Sequence, residues 1–352
     1  MDFRLLWWLF AALLCNCSTS LMRAVSPNRV SRSRPLLSQV PPLEGPRAPT
    51  LRLRLRAVGA YDPDGRVEPE EFERETWAAR GVFGTIVACS YLNYSYLNAA
   101  VESFYAALRS WSFFHHFSFE PLWASTVFAV CIAWWAMVDY CLPGLHKYRL
   151  QKSNSMIAWK DRLRDGLSNE VPWYLGLWIP FGGIMKSLGL GRKIATSTSL
   201  GLVASEVGLG LLLYDFFFFF GHNLLHKVPL LYKHVHRKHH TSATVRAGDS
   251  VRHSFLDGVW DVVCAVAALN ILGANALSRL AFNAVAITLI VEAHCGMQLP
   301  CMLSSMFPFL FAGPRLHDRH HVLGSSNFAK FFVHLDWLFA TLDAKQPDRA
   351  AA

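Results

Sequence analysis

Residues 198–220, TSLGLVASEVGLGLLLYDFFFFF, form an apolar block long enough to cross a bilayer, and they run straight into a cluster of imidazoles. A second such block, PLWASTVFAVCIAWWAMVDYCLPGL, occupies residues 121–145. A run of about 18 or more apolar residues has no water to satisfy its backbone inside lipid, so it must be helical. Weaker apolar segments lie at residues 81–105, 172–185, 258–276 and 280–291. They predict an all-α integral membrane protein of about four transmembrane helices, with a histidine-rich cap on the cytosolic or stromal side. The first lysines of the chain follow residue 145, and the positive-inside rule assigns that flank to the same side.

The net charge of +9 is confined to one place. Residues 1–60 hold nine arginines against Asp2 and Glu44, which leaves the remainder near balance and argues against nucleic acid binding. The first residues, MDFRLLWWLFAALLCNCST, have a signal-like pattern, and the Ser/Arg/Pro-rich stretch after them is transit-like. Residues 1–60 therefore read as a disordered leader to the endoplasmic reticulum, or to a plastid membrane if it acts in two parts. Residues 61–119 form a variable region with a weak EF-hand-like turn at DPDGRVEPEEF, residues 120–343 the main domain and 344–352 a tail. The turn has Ala60 where a calcium loop would open, so no calcium site is expected. The eight cysteines show no CxxC spacing and read as small buried hydrophobes rather than disulfides.

Twelve of the fifteen histidines lie between His222 and His334, in spaced groups. His222 and His226 are four apart, and His236, His239 and His240 form HxxHH. His317, His320 and His321 repeat that pattern. Residues three and four apart share a helix face, so each group offers two or three imidazoles to one point. Eight ligands exceed what one transition metal takes, and two ions fit better. Imidazole suits iron, zinc, copper and nickel alike. The apolar pair at 258–276 and 280–291 returns the chain to the side it left and sets His294 beside His240.

These motifs resemble the sterol desaturase and fatty acid hydroxylase superfamily, and in tone its methyl sterol oxidases and cholesterol 25-hydroxylases. HKVPLLYKHVHRKHH is similar to that family's HKVPxLYxxxHxxHH, HSFLDG to its HP(L/V)(D/E) segment, and EAHCGMQLP to its HSGY segment. LHDRHHVLGSSNFAKFFVHLDWLFATL is similar to its HHDxHHxxxxxNF…WDxxxGT ending. Departures fall at Leu316, Leu335, Ala340 and Cys295. The resemblance implies two irons using O2 as co-substrate, with electrons from a cytochrome b5 or ferredoxin type donor and its reductase. It implies hydroxylation of a sterol or fatty acyl lipid, with a lipid desaturase as the alternative. A non-redox zinc-binding membrane protein is the alternative from another class. The implied ligands are His222, His226, His236, His239, His240, His294, His317, His320 and His321, with His253 a possible tenth. Asp215, Asp257, Asp318, Asp336 and Asn327 are expected as supporting partners, the four aspartates accepting ring N–H bonds. His115, His116, His146, His234 and His334 match no ligand position.

Overall fold

The computed structural model describes residues 67–151, 179–180, 182–189, 192–242 and 245–343. The leader, residues 62–66 of the EF-hand-like turn, most of the 172–185 segment and the tail lie outside the described residues. Among the described residues the protein is helical, with three isolated bridges and no strand.

The longest element is α4, and the rest is arranged on it. In chain order the helices are α1 (Pro69–Leu92), α2 (Tyr94–Ser110), α3 (Phe119–Cys141), α4 (Leu200–Lys227), α5 (Phe255–Ile271), α6 (Ala276–Ala293), α7 (Gly313–Leu323) and α8 (His334–Leu338). Both α5 and α6 pack against α4, and α3 packs on the far side of α6. Leu211, Tyr214 and Phe218 of α4 meet Cys264, Ala268 and Leu269 of α5 and Phe282, Ala286 and Ile290 of α6 in the largest buried cluster. Among the described residues three helices, α3, α4 and α6, are long and apolar enough to cross a membrane. The remaining crossing of the expected four would be α5, whose 17 residues reach only about 26 Å against a hydrocarbon core of roughly 30 Å. The apolar stretch at 81–105 is broken at Asn93, which ends α1 and starts α2.

Two pieces of local chemistry set the geometry. Ser199 caps α4 by accepting from the Leu202 N–H at 3.1 Å. With 28 residues α4 is about 42 Å long, so its last two turns, with His222 and His226, extend beyond a hydrocarbon layer entered at Leu200. The α5–α6 turn is held by Asn275, whose side chain caps α6 through Leu277 N at 3.0 Å and donates to the Ser197 carbonyl at 3.2 Å. Glu206 of α4 accepts the Asn275 N–H at 3.0 Å. That tie at one end of α4 sends α6 back along it, so that His294 arrives at the other.

The segment after α3 docks on the same face. Gln298 N donates to the Tyr148 carbonyl at 2.9 Å and Leu150 N to that of Gly296 at 3.0 Å, which puts Lys147 and Arg149 on the side of His294. Glu71, the would-be final calcium ligand, is paired with Lys147 at 2.9 Å in the first turn of α1. Cysteine usage departs from expectation: Cys301 is disulfide-bonded, and Cys89 and Cys141 are exposed thiols.

Gly221 lets α5 approach α4, because a Cβ there would stand 2.2 Å from the Trp260 ring. Gly221→Ala gains helix propensity of up to about 1 kcal/mol but forces an indole out of place, and overpacking of this kind costs about 1–3 kcal/mol. The clash should win: the variant is expected to melt several degrees lower in detergent. An unchanged or raised melting temperature would refute this account of the α4–α5 contact.

Candidate metal centre

Beyond α4, Val228 and Pro229 turn the chain, and the residues Tyr232–His236 wind as a π-turn closed by Arg237 N to the Tyr232 carbonyl at 2.7 Å. This turn buries His236 and His239 while His234, Arg237 and Lys238 stay outside. A second contribution comes from α7, whose first turn opens on Pro314 and which ends at Gly324 in the left-handed conformation, φ 65°.

The nine imidazoles form two groups. His222, His226, His236, His240 and His320 make one, and His239, His294, His317 and His321 the other, with the ligand atoms of each group within 4.8 Å of one another. Each HxxHH motif is divided between them, rather than serving one point as its spacing suggested. His236 and His240 go to the first group and His239 to the second; His317 and His321 go to the second and His320 to the first. At about 100° per residue the i+3 and i+4 side chains diverge by about 100°, so one motif reaches two neighbouring points. The groups touch through His240 and His321, whose rings stack at 4.5 Å, and through His239 and His321 at 4.6 Å.

The Nε2 atoms converge. His236 Nε2 is 3.1 Å from that of His222 and 3.2 Å from that of His240. In the second group, His294 Nε2 is 2.8 Å from that of His317 and 3.4 Å from that of His239, and His321 is 3.1 Å from His317. Two imidazole nitrogens each about 2.1 Å from one ion are about 3.0 Å apart at a right angle and about 3.4 Å at the tetrahedral angle. His226 Nε2 and His320 Nε2 are buried with no hydrogen-bond partner among the described residues. Buried nitrogens crowded at this spacing without protons to share fit a metal ion and little else.

The outward nitrogens are tethered. Nδ1 of His222 hydrogen-bonds the Phe328 carbonyl at 2.8 Å, that of His320 the Ser326 carbonyl at 2.7 Å, and that of His294 the Ile290 carbonyl at 2.7 Å. His236 Nδ1 meets Asp257 Oδ2 at 2.9 Å. Such bonds place the proton on Nδ1 and leave Nε2 free to ligate. Burial holds His239, His317, His320 and His321 well below the usual histidine range, His240 at about 4 and His294 at about 3. The neutral ring, the form that binds metal, is therefore the resting form.

The expected supporting residues divide. Only Asp257 takes an imidazole N–H directly. Asp215, Asp336 and Asn327 instead hold the loop at 326–332 that carries two of the carbonyls. Asp215, wholly buried, accepts from Lys330 N at 2.7 Å, Phe331 N at 2.8 Å and Phe332 N at 3.2 Å. Asp336 accepts from Phe328 N at 2.8 Å and Ala329 N at 2.9 Å. Asn327, at φ 57°, donates to the carbonyls of Leu316 at 3.1 Å and Asp343 at 2.9 Å. Asp318 accepts from Gln151 at 2.7 Å, and burial lifts its carboxyl to about 7. His253 joins neither group; its ring lies over Gly258, where a Cβ would come within 2.4 Å of it. Leu316 is buried with Ala312, Val333 and Leu342. His115, His116, His234 and His334 are exposed and His146 bonds the Asp139 carbonyl at 2.9 Å.

Sequence reasoning missed the carbonyl acceptors, because a backbone oxygen has no letter, and it missed Lys330. That side chain is buried, 3.5 Å from Asp261 and 4.1 Å above the Phe218 ring. Asp261 also accepts from the Tyr214 hydroxyl. Beneath this group a cavity of about 230 Å³ runs between α3, α4, α5 and α6. Ile290 and Asp261 line its near end, one helical turn from His294 and Asp257 respectively, and the stacked rings of Tyr214 and Phe218 separate it from His222.

Asp257→Ala leaves the His236 ring without its anchor. Loss of such a partner costs about 10–100-fold in metal affinity, and competition with a graded series of chelators should show that drop. Affinity equal to wild type would remove Asp257 from the site.

Comparison with known proteins agrees with this geometry. Residues 207–341 match the fatty acid hydroxylase family. A cholesterol 25-hydroxylase-like protein of Danio rerio is 30% identical over 64% of this chain and 94% of its own length. The Homo sapiens cholesterol 25-hydroxylase is 29% identical over 67% of this chain and 88% of its length. Methylsterol monooxygenase 2-2 of Arabidopsis thaliana is 28% identical over 56% of this chain and 74% of its length. No solved structure matches the chain. Matching a family of membrane oxidoreductases over the same residues that gather its histidines, the chain belongs to the fatty acid hydroxylase family, within the sterol desaturase and fatty acid hydroxylase superfamily.

Proposed function

We propose that the protein is a di-iron lipid hydroxylase, its oxygenase unit spanning residues 120–343. His222, His226, His236, His240 and His320 hold one iron and His239, His294, His317 and His321 the other. The observation that carries this reading is the convergence of nine imidazoles, six of them buried and three half-buried, in two groups one helical turn from the end of an apolar cavity. Zinc has no redox chemistry and would leave an oxidoreductase without its oxidant, which favours iron among the metals that imidazole suits.

When bound, the irons supply the activation of O2 that an unactivated C–H bond requires. The residues of the chain do the rest. The carbonyls of Phe328, Ser326 and Ile290, with Asp257, fix the ring tautomers, and burial keeps the rings neutral. Tyr214 and Phe218 wall the site on the bilayer side, and the apolar cavity receives a lipid without exposing it to water. The substrate is a sterol or fatty acyl lipid and the product an alcohol; loss of a second hydrogen at the same site would give an alkene. Electrons come from a cytochrome b5 or ferredoxin type donor with its reductase. The membrane is that of the endoplasmic reticulum, or of a plastid if residues 1–60 act as a two-part leader, and imaging a fusion of those residues separates the two.

The full chain, purified without oxygen from membranes, is expected to contain two irons and, with reductant and lipid extract, to consume O2 and form a hydroxylated lipid. His320→Ala and His317→Ala should each deplete metal, the first mainly from one site and the second from the other, in Mössbauer spectra of the iron-57 protein. Two zinc ions with no O2 uptake would sink the proposal.

A further inference from the structure

The cavity has two unlike ends. Its middle is apolar, lined by Phe128, Val262, Val266, Phe282 and Ile287. At the near end, beside Ile290, the polar groups satisfy one another: the Tyr214 hydroxyl donates to Asp261, and Asp261 pairs with Lys330 at 3.5 Å. At the far end they do not. Arg279 is buried and engages both oxygens of Glu120, at 3.0 and 2.9 Å, and Asn270 at 2.9 Å. Asn283 also donates to Glu120, at 3.4 Å. The one carboxylate lining this end is engaged by Arg279 and Asn283, and its charge also acts on Arg192 without a hydrogen bond to it.

Arg192 lines the same end and is held rigidly. Its guanidinium lies 4.6 Å over the Phe114 ring and 5.4 Å over that of Phe119, and Nη2 donates to the Phe114 carbonyl. Nη1 is buried and has no partner among the described residues. Lys186 also lines this end and adds positive charge, and His115 lines it with Nε2 directed to the Arg109 carbonyl at 2.7 Å. A fixed cation with an unused, desolvated N–H calls for an oxygen acceptor from a ligand.

We infer that the cavity takes an amphipathic lipid head-first, with its hydroxyl or carboxylate oxygen at Arg192 and its hydrocarbon tail at Ile290. Arg192 is then a positioning residue. Arg279 and Ile290 are eleven residues apart on α6, about 16 Å along the axis. Carbons remote from the head, not those beside it, therefore reach the histidines. This inference rests on the proposed lipid oxygenase reading for its chemistry, but its geometry stands without turnover.

Photocrosslinking in membranes of the full chain tests it. The probes are a sterol with a diazirine on the ring beside its hydroxyl or at the end of its side chain, and a fatty acid with a diazirine near the carboxylate or at the terminal methyl. Head probes are expected to label peptides holding residues 114–125 and 182–192, and tail probes peptides holding 214–218 and 287–290. Labelling by the sterol pair or by the acid pair identifies the head chemistry, and either result supports the orientation. Arg192→Ala should weaken head-probe labelling about tenfold, as expected for loss of a hydrogen bond from a charged donor, and Arg192→Lys should restore much of it. Reversed labelling, no labelling by any probe, or full labelling in Arg192→Ala overturns the inference. Because labelling needs neither iron nor O2, absent O2 consumption with correct labelling would count against the oxygenase reading alone.

Discussion

A carboxylate buried in the middle of a membrane helix is the contact on which the site depends. Asp215 has no counter-ion at hydrogen-bond distance among the described residues; it is satisfied by three backbone N–H groups of residues 330–332. A buried carboxylate is costly unless such donors surround it. The arrangement pins the chain after α7 to the flank of α4 and fixes where the Phe328 and Ser326 carbonyls lie. Those carbonyls orient His222 and His320, so a residue two helical turns from the ligands governs their tautomers.

The same economy recurs around the centre. The clustered rings need orientation, and the chain supplies backbone carbonyls to His222, His294 and His320 and the Asp257 carboxylate to His236. Neutral acceptors avoid stacking negative charge beside a bilayer. Lys330, Asp261 and Tyr214 form a closed polar knot between the cavity and the rings. That knot satisfies itself, whereas the Arg192 end does not, and this contrast gives the cavity a direction.

Much of the centre was legible because its chemistry is periodic. His222 and His226 at i and i+4, and two HxxHH patterns at the ends of apolar blocks, identified eight of the nine clustered rings. His294 followed from the return of the α5–α6 hairpin and from family likeness. The division of each HxxHH between two points was not legible, since spacing alone says that three residues share a face and not how wide the target is. Nor was the role of Asp215, Asp336 and Asn327 as loop holders, because a carboxylate seven residues before a histidine is compatible with bonding the ring or the backbone. His253 shows the converse: its letter fits a ligand, while its ring lies over Gly258 and outside both groups.

Hydrophobic blocks and histidine periodicity, read from the chain alone, determined a helical membrane protein with a polyhistidine centre at one face. They suffice because both are local: helix length against bilayer thickness, and side-chain angle per residue. Which imidazoles face each other, which carbonyls hold them, and the existence of a cavity with one satisfied and one unsatisfied end were decided only by tertiary packing. Those features join residues up to a hundred or more positions apart, as between Asp215 and Phe332. No local pattern encodes them; they arise when α4, α5, α6 and the loop after α7 close around the same volume.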